Sequence, residues 1–544
     1  MIDSAAERAD TPMRIAAAPA LLAVFALALL LPGVTEPIVE NYVGRQIPTA
    51  MVARNLERGS GFFSPQLDTG PFPNLFLVEP PIYAQTVVAF RRVTGLPLMA
   101  AGRIVSGLSV VLAIWGLFGL ARRRMGLAQA MGVGLIFLKL PVVLRYGRAF
   151  QPDAMMMGLM IGGLRCWDDA ESEANRWKRL LGVFLIATGL ATKIIAAYFL
   201  IPLIFVIVKP RRLAKIFLIL STLLPAIGWY AYAAWRLRTG AGSRASADNA
   251  EIWMRVVSLE ALARSSTYVF AAKFLIYKCF TPIGIGLAIF GAIPSWGMWR
   301  EFRDRFQHLL AMKPPEKTDH LWWVWTLSAS SMLVLLAGKA HHEYYWIALA
   351  PVVAVWGMIG ADRAVWFLFY VFGIRNKADG LAKLLSETPL PAELVDAPRA
   401  AFRVLPILFA FLLIAVIPYH YDPTPPEWAA WGEAVAAIHA SVPEGTLLAA
   451  PEALLFLGDR KGCRLEYEPR SAVRAAGEWG GKIEPDDPLA LLEFYRSKNA
   501  RFVCDLWPVG DEPNRRALHD AIRGRYNVIT DRDGVLLAEM IEKR

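Results

Sequence analysis

The chain has 544 residues, a formal net charge of +11 and a mean hydropathy of +0.39. Hydrophobic residues make up 56% of it and Asp, Glu, Lys and Arg 19%, against about 45–50% and about 25% in soluble domains. That balance excludes a disordered chain, a coiled coil and a fully soluble enzyme. The excess basic charge reads as the loop lysines and arginines of a membrane protein rather than as a nucleic-acid footprint.

Apolar blocks recur from residue 15 to about residue 418 and then stop. A span takes about 20 mostly apolar residues. The first candidate, 15–31, has no small-residue cleavage site with a mature domain behind it, so it reads as an anchor. Residues 33–97 are too polar to be one span and form a long first loop. Further spans are predicted near 98–121, 127–144, 154–167, 180–193, 195–208, 214–235, 272–298, 320–338, 344–361 and 404–418, about eleven in all. Basic clusters at Arg122–Arg124, Arg176/Lys178/Arg179, Lys209/Arg211/Arg212/Lys215, Arg300/Arg303/Arg305 and Arg375/Lys377/Lys383 mark one face as cytoplasmic. With residues 1–14 inside, the first loop and the 419–544 tail lie outside, which in a bacterium is the periplasm. Residues 374–400 read as an interfacial helix and loop on the cytoplasmic face.

The tail reads as a small α/β domain. Helices are expected at TPPEWAAWGEAVAAIHASV (capped by Asp422 or Thr424), LALLEFYRSKNA and RRALHDAIRGRY. Strands are expected at GTLLAA, ARFVCDLW and NVITDRDGVLLAEM, the last a hairpin about Asp533-Gly534. There is no phosphate-cradling glycine motif, and the domain reads as accessory, in contact with an acceptor or a partner. The four cysteines form no framework. Cys166 and Cys279 sit among apolar residues, and pairing of Cys463 with Cys504 is open.

Polar chemistry at a membrane belongs at the water-facing mouth of the bundle, and four predicted outer segments carry it. The first loop holds Glu36, Glu40, Asn41, Arg45 and Gln46, then Glu79. A second segment, Arg145 to Asp153, holds Arg145, Arg148 and Asp153 at a span boundary, where charges are costly unless paired or wetted. Either Arg148 and Asp153 pair with each other, or the arginine binds a phosphate while the aspartate organises reacting groups. Lys193 lies in a stretch apolar on both sides, free to snorkel or to meet an anionic headgroup in a cavity. The fourth segment is Lys339, His341, His342, Glu343, Tyr344, Tyr345 and Trp346. Adjacent histidines on a turn with no third remote ligand are weak metal geometry, so no metal is expected.

The order of these segments resembles the GT-C glycosyltransferases, within them the protein O-mannosyltransferase and aminoarabinose-transferase branch. The resemblance rests on Glu40-Asn41-Tyr42-Val43-Gly44-Arg45-Gln46 with Thr49-Ala50 and Ala53-Arg54-Asn55, and on Glu79-Pro80-Pro81-Ile82-Tyr83. It continues in Gly102-Arg103-Ile104-Val105-Ser106, Tyr146-Gly147-Arg148 through Pro152-Asp153, Thr192-Lys193, His341 to Tyr345, and Ala350-Pro351. It spans most of 15–418. The sequence departs at Gly44, where the family carries an aromatic, and at Glu40, where Asp is commoner, so the first-loop acid is Glu40 or Glu36.

The resemblance implies an α-helical polytopic GT-C-like domain and transfer of a sugar from a polyprenyl-phosphate carrier to a periplasmic lipid A, polysaccharide or protein acceptor at the bacterial inner membrane, usually with inversion. No cofactor beyond the lipid-linked donor is implied. Glu40 and Asp153 are the candidate carboxylates that take or orient the acceptor proton. Arg45, Arg148, Lys193 and His341 or His342 are candidate cations for the departing lipid phosphate, with Gln46, Glu79, Tyr344 and Tyr345 lining the same site. A transporter or flippase, and a non-catalytic glycan-assembly subunit, are the competing readings.

Overall fold

The computed structural model describes residues 12–38, 43–208, 213–240, 262–293, 320–336, 342–371, 428–484, 486–508 and 511–542. The apolar blocks fold as helices. They are α1 (Pro12–Leu30), then α2 (Val43–Glu57) and α3 (Ile82–Thr94) in the first loop, α4 (Leu98–Met125), α5 (Leu127–Lys139), α6 (Pro141–Tyr146), α7 (Asp153–Glu173) and α8 (Arg176–Thr192). An irregular helical run Ile194–Ile207 follows. Next come α9 (Leu213–Ser221), α10 (Leu224–Arg238), α11 (Ser265–Lys273), α12 (Pro282–Ala292), α13 (His320–Leu335), a 3-10 turn Glu343–Leu349 and α14 (Ala350–Val371).

Among the described residues, Leu98–Met125, Leu213–Arg238 and Glu343–Val365 are each long and apolar enough to cross a membrane. The chain is a multi-pass membrane protein. The expected single span 272–298 is instead two helical pieces, Ser265–Cys279 and Pro282–Ala292, bent by 106°. The cause is local: Thr281 has a φ of +64° and caps α12 through its hydroxyl, and Pro282 at the first helical position has no N–H to continue the preceding helix. The expected 127–144 span is likewise broken after Lys139, with Pro141 opening the short α6. The expected span 404–418, the interfacial segment 374–400 and the caps Asp422 and Thr424 lie outside the described residues.

Small residues let the helices approach closely. A Cβ on Gly291 would fall 1.9 Å from the Trp356 carbonyl oxygen, and one on Gly360 1.9 Å from that of Leu287, so α12 and α14 touch backbone to backbone. Gly158 of α7 meets Ser109 of α4 in the same way.

The hairpin α7–α8 sets the scale. α7 has 21 residues, about 31 Å at 1.5 Å per residue, which is about the thickness of a bilayer's hydrocarbon core. At one end stand Asp153 and Lys193. At the other, Arg123 and Arg124 pair with Asp168, Arg123 also with Asp169, Arg179 with Glu171, and Lys215 with Glu171. The described members of three basic clusters, read separately from the sequence, thus gather at one end of the bundle.

The tail forms α15 (Trp428–Ser441), β1 (Leu447–Ala450), α16 (Glu452–Leu457), β2 (Gly462–Arg464), α17 (Pro469–Glu478), α18 (Ala490–Ser497), β3 (Ala500–Leu506), α19 (Pro513–Arg525), β4 (Tyr526–Arg532) and β5 (Val535–Glu542). The sheet order is β2-β1-β3-β5-β4, with β1 parallel to β2 and β3 and the last two ladders antiparallel. The β4–β5 turn has positive φ at Asp533 and Gly534, as a two-residue hairpin requires. β2 is a further short strand, beyond those read from the sequence. It explains why Cys463 and Cys504 do not pair. Cys463 lies on β2 and Cys504 on β3 with β1 between them, and the two side chains enter apolar clusters on opposite faces of the sheet. All four cysteines are buried thiols, and burial pushes Cys463 up to about 12.

One buried polar cluster serves this domain. Asp505 accepts from Arg515 Nε at 3.0 Å, Arg515 Nη2 at 2.7 Å and Tyr467 at 2.8 Å, and contacts His519 Nε2 at 2.9 Å. Burial opposes its charge, but the bonds to His519 and Arg515 hold its pKa below the ordinary aspartate range. A depressed carboxylate pKa contributes stability above the unfolded value of about 4, and that contribution is lost as pH falls through the folded value. Thermal unfolding of the full chain, followed by a fluorophore on Arg532→Cys, is therefore expected to show a midpoint that drops below about pH 4. Asp505→Asn is expected to lower the midpoint at neutral pH and flatten the acid limb.

Candidate active site

The site forms where the ends of four elements meet. α8 stops at Thr192 because Lys193 turns extended (φ −156°) before the following 3-10 turn. That break turns the ammonium onto the first residue of α7: Lys193 Nζ donates to Asp153 Oδ1 at 2.6 Å. Both residues are buried, Asp153 at 2% exposure. Lys193 Nζ also lies 4.7 Å from the ring centre of Tyr344 and 5.4 Å from that of Tyr345. The His342 ring stacks on Tyr344 with centroids 5.3 Å apart. Among the described residues, Asp153 Oδ2 is buried without a hydrogen-bond partner. A carboxylate oxygen in that state has unmet capacity to accept a proton or a hydroxyl hydrogen.

The first loop closes a second side. Arg45 of α2 pairs with Glu79, and its guanidinium lies 5.6 Å from the centre of the Phe76 ring. Burial works against the Arg45 charge, but Glu79 and, more weakly, Tyr344, Asp153 and Tyr345 hold its pKa above the ordinary arginine value. Arg145 of α6 pairs with Glu343, tying that short helix to the turn that carries the tyrosines. Arg148 is buried in the 147–152 loop between α6 and α7.

Other residues hold these in place. Gln46 is buried and accepts from the Phe150 backbone N–H at 2.7 Å, which pins the 147–152 loop to α2. Ser106 donates to the Ala149 carbonyl at 2.7 Å, and the Tyr83 hydroxyl meets Ser106 at 2.9 Å and donates to the Gly102 carbonyl at 2.8 Å. A Cβ on Gly102 would lie 2.2 Å from the Phe150 ring, so only glycine admits that ring here. Arg103 is buried in α4 and donates to the carbonyls of Gly33, Glu36 and Pro37, fastening the chain just before residue 39.

The structure thus brings together Asp153, Lys193, Tyr344, Tyr345, His342, Arg45 and Glu79. The alternative of an Asp153–Arg148 pair is replaced, because the cation on Asp153 is Lys193, which arrives from 40 residues away in sequence. Lys193 is buried against Asp153 rather than snorkelling. Glu36 folds its carboxyl group back over Gly33. Glu40 and His341 lie outside the described residues. Among the described residues no group of His, Cys, Asp and Glu side chains could hold a metal ion. Arg103, Ser106 and Tyr83 are positioning residues that the sequence marked only as motif letters. The signal was an arginine and a serine inside an otherwise apolar span, a placement that demands partners.

The fold matches ArnT from Cupriavidus metallidurans in the apo state, with a TM-score of 0.60 at 15% identity over 96% of this chain and 97% of that one. Residues 78–235 match the family described as dolichyl-phosphate-mannose-protein mannosyltransferase. The chain has the GT-C glycosyltransferase fold. ArnT from the same organism bound to undecaprenyl phosphate matches this GT-C chain with a TM-score of 0.57 at 13% identity, over 96% and 98% of the two chains. The archaeal oligosaccharyltransferase AglB from Archaeoglobus fulgidus, in complex with an inhibitory peptide and a dolichol-phosphate, gives 0.51 at 10% identity over 94% and 72%. No curated protein sequence matches the chain. The segment matched by the family contains Glu79, Arg103, Arg148, Asp153 and Lys193, and so much of the cluster just described.

Proposed function

We propose that the protein is an integral membrane glycosyltransferase that moves a sugar from a polyprenyl-phosphate carrier to an acceptor on the periplasmic side of a bacterial inner membrane. One observation carries the reading most directly. A buried carboxylate, with one oxygen unpartnered among the described residues, is held by a buried lysine beneath two tyrosines, at the end of a membrane-length hairpin opposite the basic network. By the positive-inside rule the basic end is cytoplasmic and Asp153 faces out. The soluble domain at 419–544 then lies on the same side as the site.

Asp153 accepts or orients the acceptor hydroxyl proton as the oxygen attacks the anomeric carbon, with Glu40 as the second candidate carboxylate. As the glycosidic bond breaks, charge grows on the lipid phosphate. Lys193, Arg45, Arg148 and His341 or His342 are the cations proposed to stabilise it. The ArnT and AglB structures are bound to undecaprenyl phosphate and a dolichol-phosphate, lipid phosphates that this cation set suits. A transporter places its charged site near the bilayer midplane. Here Asp153 and Lys193 sit at a hairpin end.

The test is direct. Purified full-length protein in nanodiscs is expected to bind undecaprenyl phosphate, and a deletion strain is expected to lose one sugar mass from its lipid A, envelope polysaccharide or glycoproteins. Mass spectra of every envelope fraction identical to the parent's would sink the transferase reading.

A further inference from the structure

The soluble domain does not stand apart from the site. A single apolar cluster runs from Leu448, Phe502 and Leu537 of the sheet through Met51 and Ala53 of α2 to Phe150 and Met155, beside Asp153. Polar contacts reinforce it at one residue. Arg54 of α2 donates to the Phe456 carbonyl of α16 at 2.6 Å and pairs with Asp459 at 3.0 Å. It also donates to Asp68 at 2.5 Å, and its guanidinium lies 4.6 Å from the Phe456 ring centre. Asn55 reaches the same Asp68 at 3.1 Å. Arg58, one turn on, holds Asp459 at 2.6 Å.

The loop between α2 and α3 joins in. Gly70 N–H donates to the Gly462 carbonyl at 2.8 Å, and Gly462 N–H to the Asp68 carbonyl at 2.9 Å, so residues 68–70 lie along the edge of β2. Phe72 then packs edge-on to Trp479 at 6.3 Å. Both halves of the Arg45–Glu79 pair are therefore carried on segments whose far parts are fastened to the soluble domain. Arg45 and Arg54 are nine positions apart in one helix, about 13 Å along the axis and half a turn around it. One face of α2 meets the site and the other meets the domain.

We infer that Arg54 is a positioning residue, through which the soluble domain fixes the placement of α2 and so of Arg45 against Glu79. The inference rests on the transferase reading only for what Arg45 binds; the coupling itself does not. Arg54 works by geometry. Its fork satisfies the helix-end carbonyl of Phe456, the buried Asp68 and Asp459 together, which a point charge on lysine cannot do.

The experiment uses the full chain in nanodiscs with two readouts: hydrogen exchange of the α2 amides, and binding of undecaprenyl phosphate. Arg54→Ala is expected to speed exchange along 44–50, at the Arg45 end, and to weaken binding about tenfold, with Arg54→Lys recovering about half of that loss in free energy. Should Arg54→Ala fail to fold, the double variant Arg58→Ala/Asp459→Asn loosens the same junction from its exposed half, and Asn keeps the left-handed backbone that Asp459 adopts. It is expected to shift both readouts in the same direction by about twofold to threefold. Arg532→Ala, exposed on the far hairpin, is the unchanged control. Faster exchange confined to 54–58 and 456–462, with binding as in the parent, would overturn the inference. A parent protein that binds no undecaprenyl phosphate counts against the transferase reading, and the exchange data then decide the coupling alone.

Discussion

Asp153→Asn is expected to abolish sugar transfer, by about two orders of magnitude or more, in a protein that still folds and inserts. The amide is nearly isosteric with the carboxylate and can still accept from Lys193 through its oxygen. Lys193 keeps the faces of Tyr344 and Tyr345 as well. What disappears is the oxygen that can take a proton, the one buried without a hydrogen-bond partner among the described residues. The loss should therefore fall on turnover, with binding of undecaprenyl phosphate changed only about twofold to threefold, because the phosphate cations remain. Activity restored by raising pH would argue for a different base. Transfer at the parental rate would remove Asp153 from the mechanism.

Lys193→Met should be worse for the protein as a whole. It removes the cation hydrogen-bonded to the buried Asp153 carboxylate, a change that costs about 3 to 5 kcal/mol when one partner of a buried pair is lost. The expected result is low yield of folded protein and a clear fall in melting temperature, with donor binding lost in whatever survives. The double variant Asp153→Asn/Lys193→Met separates the two causes. With both charges gone the folding cost is expected to be largely relieved, while transfer stays absent. If the single lysine variant melts like the parent, the pair contributes nothing to the fold.

How much of this was legible in the sequence depends on distance along the chain. Apolar run length found helices where 15–31, 98–121, 154–167 and 180–193 were expected, and turn chemistry found the hairpin about Asp533-Gly534, because each is encoded by neighbours. The bend at Thr281-Pro282 was written in the sequence as a proline, but hydropathy averaging across 272–298 hid it. The strand β2 was too short, at three residues, for any alternation to show. Lys193 stood out as a lysine among apolar residues, yet its partner was not readable. Asp153 lies across a whole helix hairpin, while Arg148 stood only five positions from it. Proximity in sequence offered Arg148 as one alternative, and the geometry of two antiparallel helices supplied Lys193. Arg54 was visible only as a motif letter, since its partners Asp68, Phe456 and Asp459 come from a loop and from a domain about 400 residues on.

The helix hairpin itself carries a consequence for anyone editing this gene. Asp153 opens α7 and Lys193 follows α8, so the pair depends on the rotational phase of two helices. One codon inserted inside α7 would turn everything on one side of it by about 100° relative to the other and carry Asp153 off Lys193. The hairpin tip is different. Ala174 there already takes a left-handed backbone, and Asn175 caps α8 through its side chain. A tag placed between those two residues would sit at the basic end, about 31 Å from the chemistry, and leave the phase of both helices as it is.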